Sequence, residues 1–426
     1  MDLLFVSMAI ILWGGILPLF FWRQFSAMKV IGIFGIGTGC LLGLSDAVTK
    51  LWQTGHYSAA FSYLNVLSLS FKIDALSAFF LVAIFSVSLL AALYSYHYMD
   101  KLRLAARTAA HYLFFSLLVV SMALVVTADN MITFMLCWES MSLSSFFLVI
   151  YNYEVAANRK AGYLYFVFSQ VGALFILAAF ALIYSQGGGF GFTTAAALPD
   201  GLKMGVFILA FVGFGSKAGV FPFHVWLPHA HPAASSHISA VMSGVMIKTG
   251  IYGILRMYDI LNWHTPVFGY IVLVAGMISG ILGVVYALGQ HDIKRLLAYH
   301  SVENIGIILI GIGIGMIGVA AGKPIMAVLG FAGGLLHVLN HAIFKSLLFM
   351  GAGMVLHKTG TGSIDLLGGL IKRMKITGTT FLIGSLAISG LPPFNGFVSE
   401  FLIYIGGFRG VALGRVDFAA AMLAII

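Results

Sequence analysis

GFGSKAGVFPFHVW, residues 213–226, is an apolar run of membrane-span character that nonetheless carries a lysine, Lys217, and a proline, Pro222. Proline removes a backbone hydrogen bond and breaks a helix. A related break occurs 171 residues later: Gly219-Val220-Phe221-Pro222-Phe223 is echoed by Gly390-Leu391-Pro392-Pro393-Phe394. Interrupted helices at matching positions of two halves are the best sequence pointer to a transport site. The expected breaks therefore sit at Pro222, Pro392 and Pro393.

The rest of the chain fits that reading. Of 426 residues 61% are hydrophobic and only 9% charged, against about 45–50% and about 25% in soluble chains. No soluble core absorbs so much apolar surface, which excludes a soluble enzyme, a nucleic-acid-binding module and a disordered protein. The net charge of +9 sits in short loops, where it reports orientation in the membrane. Cys40 and Cys137 form no metal or cluster ligand set, so no cofactor or metal is expected in this chain.

The expected class is an all-α polytopic membrane protein. A helix needs about 20 residues to cross the hydrocarbon core. Spans fall near 3–22, 30–48, 73–95, 111–127, 130–151, 161–184, 204–229, 236–258, 266–289, 296–319, 325–356 and 376–406. A thirteenth begins near 417 and is cut at Ile426, so the chain reads as truncated. The N-terminus lacks a cleavage site and reads as a retained helix. Odd-numbered loops hold 13 Lys and Arg against 7 in even-numbered ones, which puts the odd loops in the cytoplasm and the N-terminus outside. The two broken spans, the seventh and twelfth, are five apart. An odd shift reverses direction, so the repeats are expected to be inverted. The expected parts are 1–110, with three helices, 111–260, the first repeat, and 261–426, the second.

A charge at the bilayer centre costs about 2.5–3.5 kcal/mol on insertion scales and is a functional hypothesis by default. Glu139, Lys217, Lys248, His337, His341, Lys345 and Glu400 are such residues. Glu139 and Lys217 are candidates for a switchable ion pair. At 4 Å and an effective dielectric of 20 such a pair is worth roughly 4 kcal/mol. Moving a proton against roughly 150–200 mV needs a similar amount. Lys248, among small residues, is the next carrier. His337, His341 and Lys345, four residues apart, share one helix face as a proton relay; a zinc site there lacks a third ligand. Glu400 ends the row after the second break. His300 and Glu303 either join the row or only cap a helix. His224, His229, His231 and His237 crowd one segment, as a pH-sensitive mouth, a metal site or polar residues at the re-entry of a broken helix.

KAGVFPFHVWLPHAHPAASSH, MSGVMIKTGIYG, DIKRLLAYHSVENIGII and HVLNHAIFKSLLFMGAG together resemble the antiporter-like membrane subunits of complex I and its relatives. They resemble in particular hydrogenase-4 component B and the large membrane subunit of formate hydrogenlyase. Mrp-type antiporter and bicarbonate-uptake subunits are more distant. The resemblance implies a 14-helix core with two inverted five-helix repeats, helices 4–8 and 9–13, so that about 13 of 14 helices lie in this chain. It places the family's axis on Glu139, Lys217, Lys248, His337, His341, Lys345 and Glu400. Ser235 departs from a second proline common in close relatives.

The function so implied is proton translocation along the Glu/Lys/His axis, coupled to electron transfer elsewhere in a group 4 [NiFe] hydrogenase, formate hydrogenlyase or NADH:quinone oxidoreductase-type complex. Iron–sulfur and nickel–iron centres are then expected in partner subunits, not here. Expected partners are other membrane subunits, soluble hydrogenase or dehydrogenase subunits, and the lipid of a bacterial or archaeal inner membrane. A cation/proton antiporter using Na+ or K+, and a non-transporting scaffold, are the alternatives.

Overall fold

A computed structural model describes the whole chain except residues 54, 56, 64–66, 100–103 and 412–426. The helix expected near 417, and the loop charges Lys101, Arg103 and Arg415, lie outside the described residues.

The described chain has eleven segments long and apolar enough to cross a membrane. They are α1 (Asp2–Phe20), α2 (Phe25–Trp52), α3 (Ala75–Tyr98), α4 (Ala105–Val125), α5 (Met131–Val149), α6 (Ala156–Gly187), the interrupted span Asp200–Ala233, the span Ser236–Leu261, α11 (Pro266–Leu288), α12 (Ile293–Ala320) and α13 (Pro324–Thr359). Asp200–Ala233 consists of α7 (Asp200–Ala218), a short 3-10 turn and α8 (Leu227–Ala233). Ser236–Leu261 consists of α9 (Ser236–Val241), a π-helical turn (Met242–Met246) and α10 (Ile247–Leu261). A twelfth expected span, near 376–406, is divided by the second proline break. After the one-turn helix α14 (Leu370–Arg373) it runs as α15 (Lys375–Ile388) and α16 (Asn395–Val411), each too short to cross alone.

The two breaks have the same backbone. Gly219 and Gly390 both take left-handed φ angles, +80° and +62°. In each, the next amide reaches back five residues, Val220 to Gly215 at 2.9 Å and Leu391 to Leu386 at 3.5 Å. That is a helix C-terminus closed by a glycine, followed by a cis-proline link, Phe221–Pro222 or Pro392–Pro393.

The described chain divides into two compact units, one of Met1–Phe214 with Ala233–Leu261, the other of Gly215–Pro232 with the chain from Asn262. In the first, α1 packs on α2 and α4, α4 on α5, α5 on α6, and α3 on α9 and the π-turn. Ser236–Leu261 is its centre, with its apolar window buried on every side. A helix apolar all round belongs in an interior. In the second unit, α12 packs on α11 and α13, and α13 on α15 and α16. Glycines let these backbones touch: a Cβ on Gly306 would lie 2.4 Å from Gly280 N, and one on Gly330 2.4 Å from Gly315 N. Small residues serve this purpose in membrane helices.

One element departs from an all-helical expectation. Residues Tyr57–Tyr63 (β1) and Leu67–Ile73 (β2) form an antiparallel hairpin. Its outer edge is satisfied by the α4–α5 connection: Lys72 N donates to Thr127 O at 2.7 Å and Asp129 N to Ser70 O at 2.9 Å. An open strand edge is tolerated outside the hydrocarbon, where loops and water complete its hydrogen bonds. The alternation of Leu69, Ser70, Phe71 and Lys72 carried the signal.

The sequence also assigns Arg256 to a loop, whereas it lies inside α10. There its guanidinium grips Asp74 with two hydrogen bonds, 2.6 and 2.9 Å, and Ser77 Oγ at 3.1 Å. Asp74 also caps α3 through Ser77 N at 2.9 Å. Burial alone pushes the Asp74 carboxyl up, but Arg256 and the Ser77 hydrogen bonds outweigh it and hold the group at about 2, below the usual 3.8. A carboxyl depressed on folding stabilises above its unfolded value and loses that contribution as pH falls through its folded value. Asp74→Asn is therefore expected to cost about 2 kcal/mol at neutral pH. It should also flatten the loss of thermal stability between pH 3.8 and about 2, read by intrinsic fluorescence in detergent. An unchanged acid limb would show the clamp contributes nothing.

Candidate functional site

The first unit holds Glu139 and Lys248. Lys248 stands 12 residues after Ser236 and 13 before Leu261, so it is at the midpoint of its span. It is 1% exposed. Its ammonium donates to the Ser243 carbonyl in a short hydrogen bond. That carbonyl belongs to the π-helical turn, and such turns recur at functional sites because they disturb the regular ladder. Thr249 turns its hydroxyl to Met246 O at 2.7 Å. Glu139, near the middle of α5, is half-buried and accepts from Gln170 Nε2 of α6 at 2.9 Å. The neighbouring serines bond within their own helix: Ser140 to Leu136 O, and Ser144 and Ser145 to Met141 O.

The second unit holds Lys217, 3% exposed, directly before the first break. It and Glu139 belong to different units, and their pairing stays a proposal.

The same unit contains a continuous polar string. His337, at 0% exposure, joins three helices. Its Nε2 lies 3.1 Å from Asn304 Oδ1 of α12, and its Nδ1 2.9 Å from Ser399 Oγ of α16. Asn304 Nδ2 donates to His300 O at 2.8 Å, so the Asn304 oxygen faces His337 and must accept. His337 Nε2 therefore carries a proton. Ser399 Oγ accepts from Asn340 Nδ2 at 3.0 Å and is 2.9 Å from Gly396 O. Its hydroxyl proton has two acceptors within reach. With His337 neutral, the hydroxyl donates to Nδ1. With His337 protonated, Nδ1 donates and the hydroxyl turns to Gly396 O. Both charge states of the ring are thus hydrogen-bonded, and a buried polar group is costly only when left unmade.

His341 stacks near His337, with ring centroids 6.4 Å apart. Lys345, at 0% exposure, donates to Leu297 O at 3.1 Å. His300 Nδ1 makes a short hydrogen bond with Glu303. Capping of α12 belongs instead to Asp292, which accepts from Lys294 N and Arg295 N at 3.0 Å each. Glu303 lies within electrostatic range of both Lys345 and Glu400. Glu400 lies against Gly390, where a Cβ would meet its Oε2 at 2.2 Å. The structure thus gathers His300, Glu303, His337, His341, Lys345 and Glu400 on packed helices of one unit.

The four crowded histidines part company. His224 stacks on Phe221 at 5.0 Å and His231 on Phe349 at 4.9 Å, both in the second unit. His237 lies in the first unit against His111. Among the described residues no three His, Cys, Asp or Glu side chains gather as a metal site would require. Sequence reading missed Asn304, Ser399, Asn340, Gln170, Arg256 and His111. Neutral polar residues give no alarm in an apolar span, although Asn304 follows Glu303 directly.

The family described as NADH:quinone oxidoreductase/Mrp antiporter, TM matches residues 128–419, and NADH-Ubiquinone oxidoreductase (complex I), chain 5 N-terminus, matches residues 62–107. Hydrogenase-4 component B of Escherichia coli is 40% identical over 407 residues, covering 93% of this chain and 59% of that relative. Formate hydrogenlyase subunit 3 of the same organism is 36% identical over 392 residues, covering 90% and 62%. The chain thus spans about three fifths of the length of these curated relatives. Among solved structures, a chain of the membrane-bound sulfane sulfur reductase, an archaeal respiratory membrane complex, superposes with a TM-score of 0.82 at 28% identity, over 98% of this chain and 68% of that one.

Proposed function

The chain belongs to the family of NADH:quinone oxidoreductase and Mrp antiporter membrane subunits, and from this we propose that it carries protons through the membrane along its buried Glu/Lys/His axis. The observation that carries the proposal is His337, whose ring is hydrogen-bonded in either charge state because Ser399 can turn its hydroxyl. A relay must hold a proton and release it at similar cost, and this arrangement supplies that. Glu139, Lys217 and Lys248 form the first half of the axis. His337, His341 and Lys345, with Glu400 at its end and His300 and Glu303 beside it, form the second. The breaks at Pro222, Pro392 and Pro393 interrupt the spans that carry Lys217 and Glu400.

In this reading the redox chemistry belongs to partner subunits of a hydrogenase, formate hydrogenlyase or NADH:quinone oxidoreductase-type complex, which hold the iron–sulfur and nickel–iron centres. The membrane is the inner membrane of a bacterium or archaeon, with the N-terminus outside and the odd loops in the cytoplasm. The parts 1–110, 111–260 and 261–426 are the N-terminal helices and two inverted repeats.

The second reading, cation/proton antiport, is supported by the Mrp antiporter half of the family's description. Glu139→Gln, in the intact complex in proteoliposomes, separates the readings. It is expected to lower proton translocation about tenfold or more with no sodium or potassium dependence before or after. Sodium- or potassium-dependent flux lost in the variant would favour antiport. Undiminished pumping by an assembled complex would favour a scaffold.

A further inference from the structure

Resting on the proton-carrying reading, we propose that His111 and His237 form a gate through which protons enter the first unit toward Lys248. The resemblance puts no axis residue on α4, yet His111, in its second turn, is 2% exposed, and His237, at the start of α9, is 0% exposed. Their Nε2 atoms are 2.7 Å apart. Two imidazole nitrogens at that distance share one proton between them, so one ring donates and the other accepts. Two apolar side chains would fill the same space without the desolvation cost, and a buried polar pair that costs free energy calls for a function.

The outer side of the pair opens on water. A partly open crevice of about 140 Å³ is lined by His111 together with Arg107, Tyr151 and Tyr153. His111 Nδ1 has no hydrogen-bond partner among the described residues. At the mouth Arg107 pairs with Glu154 at 2.8 Å, and Glu154 is 70% exposed. Glu154 is a carboxylate on the aqueous rim, placed to collect protons.

The inner side leads to Lys248. The segment Ser236–Leu261 runs antiparallel to α3, and three contacts fix the register. Tyr98 OH is 3.1 Å from Ser236 Oγ, the Phe80 and Tyr252 rings are 5.4 Å apart, and Arg256 donates to Ser77. This register sets Ser88 opposite the π-helical turn whose Ser243 carbonyl holds the Lys248 ammonium. Ser88 is 0% exposed, and its hydroxyl has no hydrogen-bond partner among the described residues. Ser239 and Ser243, also at 0%, lie on the segment between His237 and Lys248. Tyr94 and Tyr98 of α3, and Tyr151 just beyond α5, pack round the two imidazoles, and Arg107 and Glu154 are the charges at the outer end.

The step balances as a simple relay. A proton from crevice water adds to His111 Nδ1. The Nε2 proton of His111 passes to His237 Nε2. His237 then releases its Nδ1 proton inward. One proton has entered, and both rings are again neutral with their tautomers exchanged.

The test uses the intact complex with its full-length subunit in proteoliposomes, reading proton translocation and electron transfer together. His111→Gln and His237→Gln keep a hydrogen bond but cannot relay, and each is expected to lower protons moved per electron at least about tenfold. Added imidazole should restore part of the loss in His111→Ala and nothing in Lys248→Ala. Wild-type pumping by both glutamine variants, with Lys248→Ala inactive, overturns the gate and leaves the proposed function standing. Wild-type pumping by Lys248→Ala overturns the proposed function itself. If the alanine variant does not assemble, the glutamine variants decide alone.

Discussion

Lys248→Ala is expected to lower proton translocation by at least about a hundredfold, the scale on which a positioned acid–base group acts. The residue is fully buried at the middle of a helix that is itself buried on all sides. Its ammonium rests on one carbonyl of a π-helical turn, and no other lysine or arginine lies between Ser236 and Ile254 of that span. Arginine at this position separates two roles. A guanidinium keeps the positive charge but does not deprotonate in proteins. If Lys248 only holds a charge, Lys248→Arg should pump normally. If it carries protons, Lys248→Arg should be as inactive as the alanine variant, in a complex that still assembles. The measurement is acidification or alkalinisation of the vesicle lumen per electron transferred. Full pumping by Lys248→Arg would remove the residue from the relay.

His337→Ala is expected to have a double effect. It leaves Asn304 Oδ1 without its donor in the middle of three packed helices, a loss of about 1–3 kcal/mol. It also removes a ring that reaches α12 on one side and α16 on the other, which should lower translocation by about a hundredfold. His337→Gln divides these contributions. Its carboxamide offers a donor to Asn304 and an acceptor to Ser399, so thermal stability should largely recover. Translocation should not, because an amide does not take a proton near neutral pH. Recovery of both by glutamine would make His337 a packing residue. Loss of both in glutamine would point to shape and not to titration.

The legible part of this molecule was set by quantities that need no partner. Hydrocarbon thickness fixes how long a span must be, so eleven spans and the divided twelfth lie within a few residues of their expected ranges, apart from somewhat longer ends. A proline with a glycine three residues earlier ends a helix wherever it stands, which is why both breaks fall where GVFPF and GLPPF put them. A charged residue in an apolar run stands out against the cost of burying it, which made Glu139, Lys217, Lys248, Lys345 and Glu400 readable.

What was not legible depended on distant neighbours. The hairpin required two strands and a loop some 60 residues away to complete its hydrogen bonds. Asn304 and Ser399 are ordinary in an apolar helix until α12 and α16 deliver them to opposite nitrogens of His337. His237 looked like one of four clustered histidines, but its partner, His111, is 126 residues away.

From the sequence alone came the membrane class, the spans, the two interruptions and the charges that had to be inside, because each follows from local chemistry set against a solvent of known thickness. Only the tertiary structure decided which neutral groups meet those charges, and so which of them can take up a proton and pass it on. Hydrogen bonds reach about 3 Å, and no spacing along a chain says which helices will come that close.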